Sequence, residues 1–170
     1  MNDAEAPGAV QKLETLMTRY GDSVLRLCFM TLRDRELARD AAQETFLKAY
    51  RALSTLRSEE TEKAWLSRIA VNVCRDMQRK TWWRLFDRRI TPEDLPEAFT
   101  EDEPPDSTPL LAVMNLPAML RQVVLLHYYQ GLTLAEIARA LDEKPTTVRA
   151  RLMRAKRKLY DKLERWYYDD

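Results

Sequence analysis

The amino-acid sequence predicts an all-α protein made of two small helical domains, a three-helix-type bundle and a C-terminal helix-turn-helix, joined by a flexible linker. Three observations carry this. Apolar residues recur at spacings of three and four in several segments, with no strand pattern between them. The 170 residues include only 3 Gly, too few for a chain of tight hairpins. Most of the 8 Pro fall between residues 92 and 117, so the punctuation is concentrated in one place. The expected division is 1–86, a linker at 87–114, and 115–170.

In the first segment Leu13, Leu16, Met17, Tyr20, Val24, Leu27 and Cys28 form one face of a long amphipathic helix ending near Arg33. Asp34 fits as the N-cap of a second helix, with Leu37, Ala41, Phe46, Ala49 and Leu53 inward. After a polar break at 57–60, Thr61 is placed to cap a third helix that turns Trp65, Leu66, Ile69, Val73 and Met77 inward. Residues 87–109 are acidic, Pro-rich and poor in apolar side chains. Such composition buries too little surface to offset ordering entropy. Helix signals return at Leu116-Pro117, with Pro expected at the first helical position, and Gly131 suits the residue just past that helix. Thr133 and Glu136 have capping-box spacing. A break at 142–145 leads to a last helix with the inner stripe Val148, Leu152, Ala155 and Leu159.

Net charge is +1, from 28 basic and 27 acidic residues, so no global pull toward polyanions exists. The charges are nevertheless sorted. Thr146 to Lys158 carries six basic residues and no acid, whereas Asp87 to Asp106 carries eight acids against Arg88 and Arg89. Cys28 and Cys74 lie in apolar-periodic segments and read as reduced core thiols, which with the lack of a signal peptide or a span-length apolar run points to a cytoplasmic protein. No zinc spacing, P-loop or nucleophile elbow occurs, so neither a cofactor nor a catalytic constellation is expected. His127, the sole histidine, reads as a structural residue in an apolar helix. The cluster of Trp82, Trp83 and Phe86 fits packing, a partner patch or base stacking, and the sequence leaves these open.

The stretch from Thr133 to Leu159 has the pattern of a helix-turn-helix: a short capped helix, a break of about four residues, and a helix with basic outer positions. The first helix braces the second in the major groove. Thr147, Arg149, Ala150, Met153 and Arg154 would then face the bases, where Arg can bond guanine bidentately and Ala or Met can touch a thymine methyl. Arg151, Lys156, Arg157 and Lys158 suit phosphates. The plainer reading is a solvated basic helix. Against it stand the capped helix ahead of it and thirteen residues without an acid, where exposed helices usually mix signs.

These motifs resemble a known family. Asp40-Ala41-Ala42-Gln43-Glu44-Thr45-Phe46-Leu47-Lys48-Ala49-Tyr50 resembles the second-region motif of sigma factors that docks on the RNA polymerase clamp. Ala64-Trp65-Leu66-Ser67-Arg68-Ile69-Ala70-Val71-Asn72 resembles the start of the helix reading the minus-ten element. Leu116-Pro117 through Tyr128, Gly131-Leu132-Thr133, Glu136-Ile137-Ala138 and the run Thr147 to Ala155 resemble the fourth region, which reads the minus-thirty-five element. The lack of a third region is similar to the extracytoplasmic-function (ECF) subfamily.

The resemblance implies that Asp40, Gln43, Glu44 and Lys48 meet core polymerase. It implies that Arg57, Ser58, Glu59, Thr61, Trp65, Arg68 and Asn72 serve the minus-ten strand, with Asn72 beside a flipped-base pocket. Thr147, Arg149, Ala150, Arg151, Met153, Arg154, Lys156 and Lys158 would serve the minus-thirty-five duplex. The implied partners are the clamp and flap of core RNA polymerase, promoter DNA and an anti-sigma factor that can hold the protein at the membrane, with a monomer when free. The sequence departs from the family pattern at several points. Leu56 replaces a frequent aromatic, Ser58-Glu59-Glu60 replaces a Gly-containing run, Asp142 stands at a turn position often Gly, and Thr146, also at a frequent Gly, is placed to cap the last helix. Three rivals are a free-standing dimeric helix-turn-helix regulator, a helical enzyme and a protein-binding adaptor. The first predicts a palindromic site, the second a catalytic constellation, and the third no DNA role for Arg149.

Overall fold

The computed structural model describes residues 7–58, 61–85 and 108–168, with side chains described for 8–58, 61–81 and 109–163. Among these residues are seven α-helices and no strand, in two compact units, Met1–Phe86 and Asp87–Asp170.

In the first unit α1 (Pro7–Leu32), α2 (Arg35–Arg51) and α3 (Glu62–Leu85) each pack on the other two. α1 ends where Arg33 takes a left-handed φ of 57° and its N–H bonds Phe29 O at 2.7 Å. Asp34 caps α2 as expected, its carboxylate accepting from Leu37 N at 3.0 Å. Leu16, Val24, Leu27 and Cys28, Ala41, Phe46 and Ala49, and Leu66, Val73 and Cys74 bring the three helices together in one core. Cys28 and Cys74 are free of disulfides and buried; the Cys74 thiol is pushed well up, first by its hydrogen bond to Cys28 and then by burial.

Some expected details differ. Met17 is exposed, because Leu16 holds the inner line and one helical step turns a side chain by about 100°. Trp65, one step from buried Leu66, is only half-buried for the same reason. Leu53 falls beyond α2, in a 3-10 turn at Leu53–Thr55. Thr61 does not act as the expected cap. Its hydroxyl donates to Ser58 O at 2.9 Å and shapes the turn entering α3. Thr81, at φ −127°, kinks α3, and its hydroxyl bonds Met77 O at 2.7 Å. The side chains of Trp82, Trp83 and Phe86 lie outside the described residues.

The second unit comprises α4 (Thr108–Met114), α5 (Ala118–Val124), α6 (Leu134–Leu141) and α7 (Pro145–Tyr168). α4 corrects the expected linker, which ran to residue 114. Leu110, Val113 and Met114 are buried and seat this helix by α7. The run Leu110 to Met114 is apolar, and averaging it with the acidic stretch before it hid its helical face. The rest of the expected linker, to residue 107, lies outside the described residues. Arg121, 4% exposed, holds the next turn by donating to Met114 O at 3.2 Å and Leu116 O at 2.9 Å. Pro117 is the N-cap of α5, one residue before its expected place.

α5 widens into a π-helical turn at Leu125–Tyr129, closed by Gln130 N to Leu125 O at 3.0 Å. It buries Leu125 and Leu126 and leaves Tyr128 and Tyr129 exposed. Gly131 follows with φ 69°, as its position just past the helix suggests. His127 is structural, its Nδ1 2.9 Å from Leu132 O, so that nitrogen carries the proton.

Candidate nucleic-acid and polymerase interfaces

The helix-turn-helix is built from local chemistry. Thr133 Oγ1 accepts from Glu136 N at 3.2 Å, and Glu136 returns a bond from Thr133 N at 2.7 Å, completing the capping box. α6 buries Ile137, Ala138, Ala140 and Leu141 and packs on α7. Asp142 makes the turn in the left-handed region, φ 52° and ψ 48°. Glu143 N then bonds Ala138 O at 2.9 Å and Asp142 N bonds Arg139 O at 3.4 Å, a Schellman pair. α7 starts at Pro145, whose fixed φ suits a first helical position, so Thr146 is not the cap assigned to it.

Val148, Leu152 and Ala155 turn inward, and the opposite side of α7 is open. Arg149, Ala150, Met153, Arg154, Lys156, Arg157 and Lys158 are exposed, with Met153 at 59%, and Thr147 is half-buried. Arg151 departs from this set. Its guanidinium bonds Glu143 at 2.9 Å with its side chain 14% exposed, so it braces the turn. Lys156 Nζ stands 5.8 Å from the Tyr128 ring centre, a cation–π contact that steadies a basic side chain.

In the first unit Asp40 and Gln43 are exposed and Glu44 and Lys48 half-buried on the outer side of α2. Sequence reasoning missed Leu47, 51% exposed among them. It stands one step off the inner line at Phe46, which was the available signal. Lys48 reaches Asp76 of α3 at 3.9 Å. Thr61, Trp65, Arg68 and Asn72 follow spacings of four, three and four on one side of α3. Thr61, Arg68 and Asn72 are exposed, and so are Arg57 and Ser58 in the loop before them. The Trp65 indole N–H donates to Thr55 Oγ1 at 3.0 Å. Glu59 lies outside the described residues.

A second feature escaped the sequence. Glu62 is wholly buried, its oxygens taking Lys12 Nζ at 2.5 Å and Arg19 Nη1 at 2.9 Å. Burial pushes its carboxyl up, but hydrogen bonds from Lys12, Tyr20 and Arg19 outweigh this and hold it below the ordinary 4.5. Tyr20 is pushed up, by burial first and then by its bond to Glu62. The signal was a charged residue at the head of the buried line Glu62, Leu66, Ala70.

Among the described residues no group of three or more potential ligands could hold a metal, and no helix is long and apolar enough to cross a membrane. The family model for sigma-70 region 2 matches residues 16–84, and that for sigma-70 region 4 matches residues 110–159. The chain is 30% identical over 163 residues to the RNA polymerase sigma-H factor of Pseudomonas aeruginosa, covering 88% of this chain and 84% of that protein. It is 31% identical over 146 residues to the RNA polymerase sigma factor SigV of Bacillus subtilis, covering 84% and 86%. In fold it is similar to the sigma factor RpoE from Bartonella quintana, solved with the anti-sigma factor NepR, at TM-score 0.73 and 19% identity over 94% of this chain and 98% of that one.

The chain, 31% identical over 166 residues to the ECF RNA polymerase sigma factor SigM of Mycobacterium tuberculosis with 92% and 79% covered, belongs to the ECF subfamily of the sigma-70 family of RNA polymerase sigma factors. It therefore directs core RNA polymerase to promoters, and the free-standing dimeric regulator is set aside.

Proposed function

We propose how this sigma factor divides its work. The first unit holds core polymerase through α2, where Asp40, Gln43 and Glu44 offer acceptors to basic groups of the clamp and Leu47 adds an apolar contact. The same unit captures the unwound minus-ten strand along Trp65, Arg68 and Asn72 of α3, beside Arg57, Ser58 and Thr61. Asn72 presents a donor and an acceptor to an extruded base, and the unstacking cost of about a few kcal/mol is offset by such contacts. The second unit lays α7 in the minus-thirty-five major groove, with Arg149, Ala150, Met153 and Arg154 at base edges and Lys156 and Lys158 at phosphates.

The observation that carries this reading is the open side of α7. It is basic, free of acids from residue 146 to 158, and braced by a capped α6. The protein itself catalyses nothing; polymerase supplies the nucleotide chemistry. It works in the cytoplasm. An anti-sigma protein covers its promoter- and polymerase-binding faces until a signal arrives, a partnership supported by the structurally similar sigma factor RpoE solved in complex with the anti-sigma factor NepR. Run-off transcription with core enzyme on host genomic fragments tests the scheme. The expected result is start-site-specific product that requires this protein and falls in Arg149→Ala; no such product rejects it.

A further inference from the structure

Glu62 is a fully buried acid that the promoter-binding scheme does not use. It opens α3 and takes its two cations from one side of α1, where Lys12 and Arg19 are seven residues apart with buried Leu16 between them. The line continues through Leu66 and Ala70, so an apolar residue at position 62 would seal the same seam. A buried carboxylate is tolerated only when paired, and replacing such pairs with apolar residues often costs nothing in stability. What the ion cluster adds is direction. Two bonds to two oxygens fix where α3 begins and how it is rotated about its axis.

That start is also the exit of the loop carrying Arg57, Ser58 and Thr61. One turn further, Trp65 donates to Thr55 at the loop's entrance. The described residues on either side of this stretch are therefore fastened, Glu62 inward to α1 and Thr55 to Trp65 of α3.

We infer that Glu62 is a positioning residue for minus-ten strand capture: held by Lys12 and Arg19, it sets Thr61 beside it and the line Trp65, Arg68, Asn72 in register for the DNA. This rests on the reading of that line as the strand-binding face. Glu62 does not touch DNA, and Lys12 and Arg19, with side chains 32% and 47% exposed, act through it.

The test uses holoenzyme assembled from core polymerase and the full chain. The probe is a fluorescent non-template minus-ten oligonucleotide from a start site mapped by run-off transcription. Glu62→Gln lowers strand affinity by about tenfold, the loss expected when a charge-assisted hydrogen bond goes, with affinity for core unchanged. Lys12→Met and Arg19→Met, made at partly exposed positions that tolerate change, each lower it several-fold, and Arg19→Lys restores most of it. Glu62→Gln with Lys12→Met is no worse than Glu62→Gln alone. The salt slope of binding stays the same in Lys12→Met, whereas loss of a phosphate contact would flatten it by about one and overturn the inference. Equal loss of strand and core affinity would also overturn it, by making Glu62 a general structural residue. Asn72→Ala separates the two levels. If it weakens strand binding and the Glu62, Lys12 and Arg19 variants do not, the positioning role alone fails; if Asn72→Ala has no effect, the strand-binding reading fails.

Discussion

Asp142 holds φ 52° at the bend between α6 and α7, a conformation in which an L side chain is crowded and glycine is not. Its carboxylate also stands at the negative end of α6. Relief of both outweighs the greater freedom glycine has when unfolded. Asp142→Gly is expected to stabilise the second unit by about 0.5–1 kcal/mol, read from the shift of its denaturant midpoint. A second single residue contributes to the acid limb of stability. Glu62 has a folded pKa below its ordinary 4.5 and is faced by Lys12, Arg19 and Tyr20. Between the folded value and 4.5 the unfolded chain binds more protons, so stability rises with pH in that window. The contribution is complete above 4.5 and drains as pH falls through the folded value. Glu62→Gln should lower the thermal midpoint at pH 7 by about 5 °C, with the gap to the parent closing below pH 4.5. A gap constant with pH would show that the carboxylate charge is not what holds the site.

The elements differ in how far their sequences disclosed them. The Asp34 cap, the box of Thr133 and Glu136 and the left-handed turn at Asp142 are set by residues within four positions, and all were legible. Most of the open side of α7 was legible too, because period and charge agree there. Burial of Glu62 is hinted at locally only by its place at the head of the line Leu66, Ala70, while its partners Lys12 and Arg19 lie 50 and 43 residues away, beyond any local pattern. Arg151 reads as a phosphate ligand until Glu143, eight residues back, is brought beside it by the turn. The π-helical turn at Leu125–Tyr129 and the helix at Thr108–Met114 depend on what packs against them. The capping box makes its own prediction. Thr133→Ala and Glu136→Ala should each destabilise the second unit by about 1 kcal/mol, with the double variant well short of the sum because the two bonds share one turn. Chemical denaturation checks it, and simple additivity would mean the two caps act separately. On α7, Arg149→Ala should cost about 1–3 kcal/mol at its own base pair and relax specificity there, whereas Lys156→Ala should weaken all sequences alike and flatten the salt slope. Competition binding against single-base variants of the mapped minus-thirty-five element distinguishes the two.

At the scale of the whole molecule the question is why one chain carries both units. Each proposed DNA-binding surface is formed by a few side chains of one unit, and the chain's net charge of +1 supplies no long-range attraction to DNA. Neither surface alone is then expected to hold a promoter at low concentration. Covalent connection turns the second contact into an intramolecular event at an effective concentration set by the joining segment, a gain of about 10²–10⁴ without any new contact. The acids between Asp87 and Asp106 fit that role, since a segment repelled by phosphate does not compete with α7 for DNA. The prediction is made by placing a protease site between residues 94 and 100 and cutting the folded protein. Promoter-specific run-off product should fall by about 10²–10⁴ at limiting protein and return as both fragments are raised in concentration, with core binding by the first fragment retained. Equal output from cut and intact protein would mean that the units need no tether, and polymerase alone would then have to align them on the promoter.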